Sequence, residues 1–157
     1  YKEALTSMLK SNEAAANIFC DINVTACTDV TGFGLLGHLY EMLEASMCSA
    51  DLYLDQVPSL EGAIELSKMN IKSSLYPQNF ELCSLLSVPD KVSKHSIFPL
   101  LFDPQTSGGL LAGVTDQALE VLKEKDEVSF YVIGKVKEVV NKSRDQSQSL
   151  WNLNLVD

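Results

Sequence analysis

The sequence predicts an α+β fold, on three observations: apolar stripes of helical period and apolar runs of strand period share one chain, they alternate irregularly, and no internal repeat is visible. With 157 residues, 46% of them hydrophobic, the chain is long enough to bury a core, and its length suits one domain or slightly more.

Residues 3–19 place Ala4, Leu5, Met8, Leu9, Ala15, Ala16 and Phe19 on one face, the pattern of an amphipathic helix that covers a core. Residues 22–30 follow, with Val24, Thr25 and the stretch 27–30 rich in small and β-branched residues, a strand that runs directly into glycines. Leu35, Leu36, Leu39, Met42 and Leu43 then form a helical stripe of about three turns. The glycines therefore join a strand to a helix. Residues 50–55 alternate as a strand; residues 60–69 read as a helix with Ile64, Leu66 and Met69 buried. Residues 70–104 hold Pro77, Pro89, Pro99 and Pro104 among serines and read as a long irregular stretch, of a length usually functional or mobile. Residues 110–114 predict a strand. Thr115 is the expected N-cap of a helix through Lys125 that buries Ala118, Leu119, Val121 and Leu122. Residues 128–136 and 150–156 predict two last strands around a polar turn at 141–149.

A formal charge of −9 excludes a nucleic-acid phosphate binder, whose affinity comes from clustered Lys and Arg. Only Lys135, Lys137, Lys142 and Arg144 group loosely, as a solvated edge, and neither the tyrosines nor Trp151 form a stacking platform. Cys20, Cys27, Cys48 and Cys83 lie too far apart for a zinc site; two sit in apolar runs and read as buried reduced thiols of an intracellular protein. No apolar run reaches the ~20 residues of a membrane span. The start, YKEALTSMLK, has neither a secretory core nor an initiator Met and reads as cut from a longer chain.

Two segments carry chemistry. In ACTDVTGFGLLGHLYEM, residues 26–42, Gly32, Gly34 and Gly37 spell G-x-G-x-x-G between strand and helix, with Asp51 and Asp55 further on, which matches a dinucleotide fingerprint. Against it, Asp29 stands three residues before the first glycine, where its charge would repel a pyrophosphate, and regular strand–helix–strand units do not follow. A second chemistry suits the same residues. A helix beginning near Gly34 turns N–H groups toward an anion, Asp29 can hold Mg²⁺, and Thr28 and Thr31 can orient the carboxylate or a metal-bound water; the plain alternative for Asp29 is a turn or capping residue. His38 can contact phosphate or hold a carbonyl, the structural role being favoured, while His95, near Lys91 and Lys94, reads as solvated. The second segment, LFDPQTSGGLLAG at 101–113, biases Asp103 to an extended shape before Pro104. It then presents Thr106, Ser107, Gly108 and Gly109 as a donor-rich loop able to face a phosphate, or to serve as a structural turn.

The TDVTGFGLLGH run at 28–38, followed at long spacing by FDPQTSGGLL at 102–111, resembles the selenophosphate synthetase (selenide, water dikinase) family, with support from the AAA segment at 14–16 and PQNFE at 77–81. The resemblance covers nearly the whole chain. It implies the C-terminal, three-layer α/β/α domain with a mixed sheet of an aminoimidazole ribonucleotide synthetase-like protein, residues 1–157, whose N-terminal ATP-binding domain is a separate partner. It further implies a cytoplasmic enzyme, homodimeric through its N-terminal half, that converts ATP, selenide and water to selenophosphate, AMP and orthophosphate. Asp29 is then a Mg²⁺ ligand, with Thr28, Thr31, Gly32, Gly34, Thr106, Ser107 and Gly108 facing the nucleotide. The family's reactive Cys or selenocysteine and its Lys belong to the N-terminal half, so this chain holds no catalytic nucleophile and is inactive alone. One departure is that Ser73-Ser74 stands where many members carry a glycine pair before the Asn motif, here Asn79.

Overall fold

Helix α3 (Gly34–Ser46) organises the chain because it carries the predicted stripe intact. Leu36 and Leu43 are buried, and the helix packs against strands on both sides of it in sequence. The computed structural model describes residues 1–86, 88–138 and 153–156. The predicted turn at 141–149, Lys142, Arg144, Trp151 and the start of the last strand lie outside the described residues.

The α+β class with a mixed sheet is as expected. Strands β1 (Ala26–Asp29) and β3 (Leu110–Gly113) form an antiparallel pair, with Ala26 opposite Gly113 and Asp29 opposite Leu110. Strand β2 (Cys48–Tyr53) is central to a second sheet, antiparallel to β4 (Gly134–Glu138) and parallel to β5 (Leu153–Val156). The period of two puts Ala50 and Leu52 in the core and Asp51 on the other face. The predicted strand 22–30 thus shortens to its last residues, and that at 128–136 begins only at Gly134.

Two expectations for helices are corrected. The stripe at 3–19 is two helices, α1 (Lys2–Leu9) and α2 (Glu13–Asp21). The break falls where local polar groups compete for the backbone: Ser11 Oγ accepts from Glu13 N–H at 3.1 Å, and Asn12 Nδ2 donates to Gly108 O at 2.9 Å. Only Ile18 of the two helices is buried, so the stripe covers little core. Helix α4 (Ala63–Lys68) is shorter than predicted; Ile64 packs on the core, but Leu66 and Met69 are exposed.

The stretch at 70–104 differs most from expectation. It contains α5 (Tyr76–Phe80), α6 (Asp90–Ser93) and 3-10 turns at Glu81–Leu85 and Phe98–Phe102. Pro77 and Pro99 sit in first turns and Pro89 at an N-cap, positions where the missing N–H costs nothing. Tyr76, Val92, Ile97, Phe98, Leu101 and Phe102 from this stretch join Leu36, Leu43, Ala50, Leu52, Leu54 and Leu155 in the main core. The Phe80 and Phe102 rings meet at 4.9 Å and those of Phe98 and Phe102 at 5.3 Å. Helix α7 (Asp116–Lys123) starts as predicted, with Thr115 Oγ1 accepting from Ala118 N–H at 3.2 Å; Leu122 is buried, but Val121 is exposed.

Asp51 accepts from Asn154 Nδ2 at 3.0 Å and pairs with the Lys137 ammonium. The hydrogen bond from Lys137, then that from Asn154, holds its carboxyl below the ordinary carboxylate range. A depressed carboxylate contributes stability that is present above its unfolded pKa, ~3.9, and is lost as pH falls through the folded value. Asp51→Asn should therefore melt below wild type at neutral pH, with the gap narrowing below about pH 4 in calorimetry at stepped pH; an unchanging gap would rule this coupling out.

Candidate functional site

Strand β1 ends on Asp29, whose side chain is exposed. Among the described residues its carboxylate has no hydrogen-bond or ion-pair partner; the Thr28 hydroxyl donates instead to the Asp29 backbone carbonyl, at 3.2 Å. The chain then turns inward. Val30 is buried and its N–H reaches Gly109 O at 3.0 Å, while Thr31 O accepts from Gly34 N–H at 3.1 Å and Gln105 N–H at 2.9 Å. Two segments far apart in sequence thus meet backbone to backbone.

Glycine is required at two points of this junction. Gly34 has φ +71°, and a Cβ there would lie 2.8 Å from Leu101 O. A Cβ at Gly108 would lie 2.1 Å from Val30 O. The hydroxyl of Thr31 faces His38 Nε2 at 3.1 Å, and Nδ1 of that ring faces the Glu41 carboxylate at 3.5 Å. His38 is buried and structural, as favoured, but it holds a hydroxyl rather than a carbonyl. Neither threonine hydroxyl contacts the Asp29 carboxylate: Thr28 donates to the Asp29 backbone carbonyl and Thr31 faces His38.

An open cleft of about 680 Å³ lies beside this junction, bordered by Gly32, Thr106, Gln105, Asp103, Lys72 and Tyr76 among others. Of the predicted site residues, Gly32 and Thr106 reach it; Thr28, Asp29, Thr31, Gly34, Ser107 and Gly108 stand outside its lining. Burial pushes the Asp103 carboxyl above its ordinary range, and burial likewise raises the Tyr76 phenol, helped by Cys83 and Asp103. Lys72 Nζ lies 4.1 Å from the centre of the Tyr76 ring. Spacing alone did not single out Lys72, Tyr76 or Asn79. Asn79 donates from Nδ2 to both Gly32 O at 2.9 Å and Phe102 O at 3.0 Å; its signal in the sequence was the PQNFE match.

Other expectations are settled nearby. The dinucleotide reading needs β1 and β2 as parallel neighbours around α3, yet β1 pairs antiparallel with β3 and β2 lies in the other sheet. Asp51 is held by Lys137 and Asn154, and Asp55 by His95 Nε2 at 3.2 Å, so His95 is not simply solvated. All four thiols are free; Cys48 and Cys83 are partly buried and pack on the core, while Cys20 and Cys27 are exposed. Partial desolvation, then the Asp29 charge, raises the Cys27 thiol, which opposes nucleophilic use. Among the described residues no group of three or more His, Cys, Asp or Glu could enclose a metal ion, and no helix is long and apolar enough to cross a membrane.

The family model described as AIR synthase related protein, C-terminal domain, matches residues 1–145. The chain is 38% identical over 143 residues to a selenide, water dikinase of Caldanaerobacter subterraneus subsp. tengcongensis, covering 88% of this chain and 41% of that protein. It is 39% identical over 129 residues to one of Carboxydothermus hydrogenoformans, covering 79% and 36% respectively. It is 38% identical over 144 residues to one of Campylobacter jejuni, covering 90% and 40%. The chain thus spans about two fifths of the length of these curated relatives.

Proposed function

Because the chain belongs to the AIR synthase related protein, C-terminal domain family, we propose that it is the C-terminal domain of a longer, cytoplasmic selenophosphate synthetase and forms one wall of its Mg²⁺–ATP cleft. The reaction is ATP, selenide and water to selenophosphate, AMP and orthophosphate. The N-terminal ATP-binding domain supplies the nucleophile and assembles the homodimer, and the C-terminal domain alone is inactive. The observation that carries this reading is the junction itself: Gln105 N–H on Thr31 O and Val30 N–H on Gly109 O bring both motifs to one face, beside an exposed Asp29 whose carboxylate has no partner among the described residues.

Among the described residues Asp29 has no competing cation and no metal-sized cluster around it, so it fits Mg²⁺ as one hard oxygen donor, with the remaining ligands coming from the N-terminal domain. When bound, the metal neutralises charge on the phosphates during transfer. The chain's own residues do the positioning. Gly32, where a Cβ would meet nothing within 4 Å, leaves the backbone open to phosphate oxygens, Gly34 and Gly108 close the junction beside it, and Thr106 and Ser107 are exposed donors on the same loop.

The full-length protein, given ATP and selenide, should form AMP and selenophosphate in a phosphorus NMR assay. AMP formation independent of selenide would point to another ATP-using reaction of the same superfamily, and no ATP turnover at all would refute the reading.

A further inference from the structure

Resting on the reading of this face as a wall of the nucleotide cleft, we propose that Asn79 is a positioning residue: its side-chain amide uses both N–H bonds to lock the glycine turn onto the Asp103 loop. The geometry leaves little choice. Gly32 O and Phe102 O both accept, so the amide nitrogen must face the pair at 2.9 and 3.0 Å. Gly32 borders the cleft, and Phe102 immediately precedes Asp103, which also borders it.

The amide is also held on a rigid element. Asn79 lies on α5 between Tyr76, which is buried, and Phe80, whose ring stacks on Tyr76 at 5.6 Å and meets Phe102 at 4.9 Å. Pro77 in the first turn stiffens the same helix. This gives a role to the segment that departs from the family at Ser73-Ser74, since its last turn reaches both motifs with one side chain. The amide satisfies two carbonyls from one nitrogen without bringing a charge. A carboxylate of the same shape turns an oxygen toward both, and alanine leaves the two loops joined by backbone bonds alone. Misplacing reacting groups by about 1 Å can cost up to ~10²-fold in rate, so the clasp matters beyond folding.

The test uses the full-length protein as wild type, Asn79→Ala, Asn79→Asp and Asn79→Gln. Turnover should fall in the order Gln, Ala, Asp. For Asn79→Ala, kcat should drop about tenfold and the Mg²⁺ concentration for half-maximal rate should rise. A folded Asn79→Ala with only a lower melting temperature, and wild-type kcat and Mg²⁺ response, would overturn the proposal. If alanine does not fold, wild-type kcat and Mg²⁺ response in Asn79→Asp would overturn it equally. Hydrogen exchange gives a readout independent of activity. The amides of Gly34 and Gln105, both bonded to Thr31 O, should exchange faster in the variants than in wild type, and unchanged protection contradicts the proposal. If wild type makes no AMP, the functional reading fails while the exchange result still decides the role of Asn79.

Discussion

Asp29→Ala in the full-length protein should lower selenide-dependent AMP formation by about a hundredfold or more, equivalent to about 2.7 kcal/mol in the barrier, while leaving the melting temperature unchanged. The two halves of this expectation have separate causes. Activity falls because a carboxylate that holds a divalent ion near phosphates supplies charge no neutral side chain replaces. Stability holds because Asp29 is exposed at a strand end and its carboxylate makes no bond to any described residue. Asp29→Asn, with the same shape and no charge, should behave as alanine does. Wild-type turnover in either variant removes the metal role, and a large fall in melting temperature would show instead that Asp29 holds the fold.

Gly108→Ala should destabilise the chain by about 3 kcal/mol, seen as a fall in melting temperature of about 10 °C. The added Cβ would sit 2.1 Å from Val30 O, a backbone atom at the end of β1 that cannot rotate away as a side chain would. Relief requires the strand and the loop to separate, which stretches the bond from Val30 N–H to Gly109 O and that from Asn12 Nδ2 to Gly108 O. Gly109→Ala is the matched control, because a Cβ there meets nothing within 4 Å; it should melt close to wild type. Equal melting of the two variants would show that the junction is looser than its contacts imply.

Both predictions concern a junction that is only half visible in one dimension. The strand, glycine turn and helix at 26–46 can be read directly, because each depends on neighbours: a β-branched run, a residue free to adopt φ +71°, and an apolar stripe of helical period. Thr115 as a cap is local in the same way, its hydroxyl reaching only to Ala118. The stretch at 70–104 carries no such local signal. Its helical pieces are too short to show a period, and prolines that open a helical turn look the same in a sequence as prolines that end one.

By itself, then, the sequence determined the α+β class, the element that presents Asp29, and the two motifs that identify the family, all properties of short windows or of motif order. The tertiary structure alone decided that the Thr31 hydroxyl turns to His38, that Asn12, between α1 and α2, holds Gly108, and that Asn79 clasps Gly32 to Phe102. The physical reason is that these are single side-chain hydrogen bonds whose partners are chosen by packing. A polar side chain takes whichever group the folded core brings within about 3 Å, and no residue spacing encodes that choice.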